Sequence, residues 1–180
     1  EVVVTKNPDD LYLANRVVLP GVGAFEDCML GLERIPGMKE ALEETVLAIG
    51  KPFLGICVGM QLMASIGNEN GRHKGLSWIE GEVMPLPRGA WKVPHMGWNE
   101  LVISQEHFVF KDIPEQTDFY FVHSYHFKCQ NAGHCLATTD YCVPICSVVG
   151  RDNILGVQFH PEKSSLDGIS FLKSLEKIKI

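Results

Sequence analysis

The segment PFLGICVGMQ, residues 52–61, constrains this chain more than any other. An apolar run ends at Cys57, Gly55 and Gly59 flank the thiol, and Val58, Met60 and Leu62 begin a helical pattern. A strand that turns sharply into a helix forces its apex residue into a crowded backbone conformation, so the neighbours must be small. The segment therefore predicts an α/β fold with a thiol at a strand end. A thiol at a helix N-terminus also meets the positive end of the macrodipole, which predicts a pKa below the ordinary value. Taken alone, the pattern fits a buried core cysteine beside packing glycines equally well.

The second constraint is GVQFHPE, about a hundred residues later, where His160 and Glu162 follow an apolar run. In an extended segment, residues i and i+2 point to the same side, and Pro161 restricts the backbone between them. The carboxylate can then orient the imidazole, which acts as base toward Cys57 and as acid toward a leaving amine. A thiol, an imidazole and a carboxylate, each at a strand end, are the parts of a nucleophilic acyl-transfer site. A surface His–Glu pair on a loop is the plainer reading, but it leaves the preceding apolar run unexplained. The site also needs backbone N–H donors for an oxyanion. The N–H of Val58 is one candidate. PGVG, residues 20–23, ends another apolar run and offers a second through Val22 or Gly23, although such a motif is also an ordinary tight turn.

A chain of 180 residues is one domain by length and can bury a real core. Its formal charge of −6, with no basic block, argues against a nucleic-acid partner. No apolar run has the length of a membrane span and no signal peptide is visible, so a cytoplasmic location is expected. The six cysteines have neither CxxC pairing nor zinc-site spacing and are expected to be reduced thiols. There is no P-loop and no dinucleotide fingerprint, so no metal, nucleotide or other cofactor is implied.

EVVVT and RVVLP are expected strands, separated by a turn-rich stretch with Pro8. A helix is predicted from Glu26 to Leu32. A second, MKEALEETVLAIG, places Ala41, Leu42, Thr45, Val46 and Ile49 on one face. PFLGI then reads as a strand and VGMQLMASIG as a helix. The strand-like runs from GLSWIEGEVMPLP to ILGVQF suggest hairpins added to a parallel core. SSLDGISFLKSLEKI returns to helical spacing with Leu166, Ile169, Leu172 and Leu175. The expected fold class is thus α/β: an open, mainly parallel sheet flanked by helices, with an added antiparallel β extension.

PGVGAF, GICVGMQLM, PHMGWNEL, YFVHSY and GVQFHPEKS, in this order, resemble the triad-type (class I) glutamine amidotransferases over essentially the whole chain. Within that superfamily they are most similar to the glutaminase subunits that serve imidazole glycerol phosphate synthases in histidine biosynthesis. The resemblance implies that Cys57 attacks the side-chain amide of glutamine, with His160 and Glu162 as its partners. It also implies that Gln61, backbone near Gly21, and Ser124 with Tyr125 hold the substrate. Ammonia would then pass to a (β/α)8 synthase subunit in a heterodimer. Trp98, Asn99, Tyr120, His123 and Lys163 are the candidates for the face toward that partner. The family begins with a further strand, loop and helix before the equivalent of EVVVT, so a single domain over residues 1–180 lacking its first β-α unit is expected. A paralogue serving another synthase, such as a sugar-modifying enzyme, and a non-catalytic relative remain open as alternatives.

Overall fold

The structure, a computed structural model, describes residues 1–89 and 91–177. Along the chain, α1 (Asp9–Leu13) precedes β1 (Val17–Gly21), and α2 (Phe25–Glu33) and α3 (Met38–Glu43) lead to β2 (Phe53–Cys57). After α4 (Val58–Gln61) come the short β3 (Ile66–Gly67) and β4 (His73–Lys74), then β5 (Gly81–Pro85), β6 (His95–Glu100) and β7 (Val102–Ile103). The chain continues through β8 (Asp118–His123), β9 (Tyr125–Cys129), β10 (Cys135–Asp140), β11 (Pro144–Arg151) and β12 (Ile154–Val157) to α5 (Ser165–Ser174).

The main sheet runs β1-β2-β12-β11-β9-β5-β3-β4, with β10 paired to β11 and carrying β7. β1, β2 and β12 form the parallel part, and β12, β11, β9 and β5 are joined antiparallel. All residues of β2 and β12 are buried, as expected of strands covered on both faces. β6 and β8 pair antiparallel in a separate two-stranded sheet. The parallel core and the antiparallel extension are both present, and the extension contains more strands than the core.

The register positions the site. Gly21 pairs with Cys57, and Ile56 pairs with Val157. The carboxyl ends of β1, β2 and β12 therefore lie side by side, where ligand sites of open α/β sheets form. Below this edge Phe159 stacks on Phe119 at 4.2 Å and meets Phe171 of α5 edge-on at 5.4 Å. This cluster anchors the segment that carries His160.

Several local expectations are corrected. EVVVT is not a strand: residues 1–7 have no regular structure, and Val2 and Val4 are 91% and 97% exposed. β1 is the edge strand of the sheet, and β-branched residues form a strand only where a ladder takes their backbone groups. The turn-rich stretch around Pro8 instead contains α1. The helix expected from Val58 stops after Gln61, because the carbonyls of Leu62, Met63 and Ala64 accept from the N–H groups of residues 76–79. The helix after Gly37 widens into one π-turn at Glu44–Ala48, with Thr45 Oγ1 donating to the Ala41 carbonyl at 2.6 Å, and Ile49 is exposed. α5 turns Gly168, Phe171 and Ser174 inward, with Leu175 beyond its end also buried. Of the leucines and isoleucine at helical spacing, Leu166 is 75% exposed, and Ile169 is also exposed. The C-terminal helical pattern ends at Ile178, which lies outside the described residues.

Candidate active site

Cys57 stands at φ 54° and ψ −110°, between β2 and α4. That left-handed backbone is costly for a residue with a side chain, by about 1–3 kcal/mol, and persists only where the surroundings enforce it. Three glycines are the means. A Cβ on Gly59 would sit 1.8 Å from the Leu19 carbonyl oxygen, and one on Gly55 would sit 2.6 Å from the Gly59 carbonyl oxygen. A Cβ on Gly21 would come within 3.0 Å of the Gly59 nitrogen. The elbow is therefore clamped by backbone-to-backbone contact with the neighbouring strand.

The thiol is buried. Burial pushes Cys57 up to about 11. The N–H of Val58, donated to the sulfur, pulls it down, while Glu162 and Cys28 push it further up and Lys163 opposes them. The depressed pKa expected from the macrodipole is thus reversed: α4 is four residues long, and enclosure outweighs its few aligned dipoles. A thiol held this high is neutral near pH 7, so any nucleophilic use of it calls for a base.

His160 is the candidate for such a base. It lies three residues past Val157, whose ladder ends level with Ile56, beside the elbow. Its Nδ1 is 2.7 Å from Glu162 Oε1, and its buried Nε2 has no hydrogen-bond partner among the described residues. The pair forms across a 3₁₀ turn, Pro161–Lys163, which follows an extended His160. The backbone is fixed on both sides: the His160 N–H donates to the Tyr120 carbonyl at 2.8 Å, and Ser164 Oγ donates to the His160 carbonyl at 2.7 Å. Ser164 Oγ in turn accepts from the Tyr120 N–H at 3.0 Å. With Nδ1–H held by the carboxylate, Nε2 is the nitrogen left to accept a proton.

The other predicted residues divide into groups. Gly21 lies beside Cys57 by register, and the turn through Val22 and Gly23 continues from it. Val22 is exposed, its carbonyl accepts from the Cys28 thiol, and Gly23 has φ 118°. Gln61 is buried rather than exposed, and its amide donates to the Tyr125 carbonyl at 3.1 Å and to Gln158 Oε1 at 3.0 Å. Gln61 and the 124–125 segment are therefore brought together. Gln158, whose Nε2 donates to Cys57 Sγ at 3.7 Å, escaped the sequence reading. The available signal was a lone amide within an apolar run, which must find a polar partner inside.

Of the five residues expected on a partner face, three form one cluster, with Trp98 and Lys163 exposed and Tyr120 half-buried. Trp98 and Tyr120 pair across β6 and β8 with ring centroids 5.9 Å apart, and Lys163 Nζ stands 6.0 Å from the Tyr120 ring. The other two are corrected. His123 is buried, with Nδ1 2.8 Å from the Tyr125 carbonyl, so it faces the interior. Asn99 alternates with Trp98 along β6 and points the other way, donating to the Asp140 carbonyl at 3.0 Å. No described helix is long and apolar enough to cross a membrane.

Comparison with known proteins adds three findings. The family model for glutamine amidotransferase class-I matches residues 2–174. Imidazole glycerol phosphate synthase subunit HisH from Zymomonas mobilis is 52% identical over 172 residues, covering 94% of this chain and 79% of that protein. The subunit of the same name from Rhodopseudomonas palustris is 48% identical over 183 residues, covering 99% and 85%. Among solved structures, a glutamine amidotransferase aligns with TM-score 0.71 at 16% identity, over 96% of this chain and 85% of its own. The glutaminase domain of Trypanosoma brucei CTPS aligns with TM-score 0.60 at 17% identity, over 96% and 75%. At such identities the solved structures speak to the fold alone.

Proposed function

We infer the function from the premise that this chain belongs to the class-I glutamine amidotransferases, with relatives named as imidazole glycerol phosphate synthase subunits near 50% identity. The chain is the glutaminase subunit of such a synthase and hydrolyses glutamine to glutamate and ammonia for histidine biosynthesis. The observation that carries this reading is the glycine-clamped Cys57 at the end of β2, with a buried His160, its Nδ1 held by Glu162 at 2.7 Å, three residues past the end of the adjacent β12.

The proposed chemistry follows from those groups. His160 Nε2 takes the Cys57 proton as the sulfur attacks the γ-carbonyl carbon of glutamine. The N–H of Val58, with backbone at Val22 and Gly23, stabilises the oxyanion. The tetrahedral intermediate collapses as His160 protonates the leaving nitrogen, and ammonia departs from a γ-glutamyl thioester. Water, deprotonated by His160, attacks the thioester, and glutamate leaves as the thiol regains its proton. Gln61, backbone at Gly21, and the segment of Ser124 and Tyr125 hold the substrate. A thiol that rests neutral limits turnover without a synthase, which suits a subunit whose ammonia passes to a (β/α)8 partner docked at Trp98, Tyr120 and Lys163.

Glutamate release is the test, measured with the chain alone and with the (β/α)8 subunit and its nucleotide substrate. The expected outcome is strong stimulation by the partner and loss of at least about three orders of magnitude in Cys57→Ala. Equal release by Cys57→Ala would overturn the catalytic assignment. Stimulation only by a different synthase would overturn the pathway.

A further inference from the structure

A hydrogen-bonded path leads from Cys57 into the β6–β8 sheet. Gln158 Nε2 donates to Cys57 Sγ, and Gln61 Nε2 donates to both Gln158 Oε1 and the Tyr125 carbonyl. The same carbonyl is 2.8 Å from His123 Nδ1, and His123 Nε2 is 2.9 Å from His95 Nδ1. His95 Nε2 is 3.2 Å from Asn99 Nδ2, whose second hydrogen goes to the Asp140 carbonyl.

The chemistry of the two ends fixes every proton between them. A carbonyl only accepts, so His123 Nδ1 carries a hydrogen. An amide nitrogen only donates, so His95 Nε2 is bare. If both rings are neutral, the one remaining hydrogen lies on His95 Nδ1 and is donated to His123 Nε2. Burial favours neutrality, lowering His95 to about 4 and His123 to about 3. His95 is further clamped by stacking against Tyr141 at 4.0 Å and Phe121 at 4.9 Å. The mechanism above uses neither ring, yet together they tie two strands of a separate sheet to the carbonyl that Gln61 also holds.

We propose that His95 and His123 are a positioning pair: they fix the Tyr125 carbonyl and, through Gln61 and Gln158, the surroundings of Cys57, so that glutamine turns over only while β6 and β8 hold this arrangement. The proposal deepens the glutaminase reading and rests on it. Strand alternation supplies the reason for this placement. Trp98 lies on the outer face of β6 while His95 and Asn99 lie on the inner face, so a contact made outside bears on the path inside.

The test joins a spectroscopic readout to kinetics. Long-range ¹H–¹⁵N correlation of the parent chain should show both rings as neutral Nδ1–H tautomers at neutral pH. An Nε2–H tautomer or a cation at either ring overturns the pair. In the complex with the synthase subunit, His123→Phe should lower kcat/KM for glutamine about ten-fold. His123→Asn, whose amide can still donate to the Tyr125 carbonyl, should recover most of that loss. His95→Phe keeps the stacking and should show an intermediate loss with a shifted Gln61 side-chain amide resonance. Parent-like turnover in both phenylalanine variants overturns the proposal. If the parent complex itself hydrolyses no glutamine, the functional reading fails, and the pair is still decided separately: an unmoved Gln61 amide in His95→Phe overturns it, and a shifted one upholds it.

Discussion

The elbow around Cys57 and the β6–β8 sheet are positioned by opposite means. The elbow is held by backbone approach, with glycines where another residue would drive a Cβ into backbone atoms. The two-stranded sheet relies on side chains for much of its tie to the rest of the molecule: His123 reaches the Tyr125 carbonyl and Asn99 the Asp140 carbonyl, beside the Tyr120 backbone bonds to His160 and Ser164. Backbone clamping gives Cys57 a rigid setting that a Cβ at Gly55 or Gly59 would break. Side-chain hydrogen bonds give a joint whose geometry depends on protonation and packing.

The sharpest way to break this contrast is to add one methyl group to each region. Gly59→Ala puts a Cβ 1.8 Å from the Leu19 carbonyl oxygen, a backbone atom that cannot move aside without opening β1 from β2. The expected cost is more than about 3 kcal/mol, with loss of Cys57 labelling by a glutamine-analogue electrophile. Gly97→Ala in β6 meets no atom within 4 Å and pays only for its φ of 136°. Its expected cost is about 1–2 kcal/mol. Urea denaturation of both variants is the measurement, and equal costs would mean that the elbow is looser than its contacts imply.

The same contrast explains what could be read from the residues. Glycines in GICVG and an apolar run before HPE betray the elbow and His160, because backbone crowding leaves a mark at fixed spacing. The path through Gln61, Gln158, His123 and His95 leaves no such mark: its members come from β6, β8, α4 and the residue after β12, and only the register of two sheets brings them together. His123 is among the residues expected on a partner face, and alternation in DFYFVHSY does not say which face is inner. Helical spacing in α5 leaves its inner face equally open, and EVVVT failed as a strand for the same reason. Periodicity gives the element, but its neighbours decide pairing and orientation.

Titration separates the two regions by sign. The pKa of Cys57 is raised, chiefly by burial, so its contribution to stability is present below its ordinary value of 9.0 and is lost as pH rises toward about 11. His95 and His123 are lowered, also chiefly by burial, so their contribution is present above 6.5 and is lost as pH falls toward about 4 and about 3. His126, lowered by burial too, adds to the acid side. Urea midpoints at pH 5, 7 and 10 should show His95→Phe flattening the acid limb and Cys57→Ala flattening the alkaline limb, each by about 1–3 kcal/mol. An acid limb unchanged in His95→Phe would mean that the histidine pair is not what makes the second sheet acid-sensitive.

The smallest expected effect on stability is at the outer face of that sheet, and its smallness is informative. Trp98 is 53% exposed and touches Tyr120 edge to face, so Trp98→Ala forfeits one solvent-facing aromatic pair worth about 1 kcal/mol or less. Lys163→Ala forfeits a cation placed 6.0 Å from the same ring, worth about 0.5 kcal/mol when exposed. Both variants should therefore melt within a few degrees of the parent while losing stimulation of glutamine hydrolysis by the synthase subunit. A large drop in melting temperature would make the cluster a structural prop. Parent-like stability with parent-like stimulation would move the docking face elsewhere, and the inner path of His95 and His123 would then have to be biased from another surface.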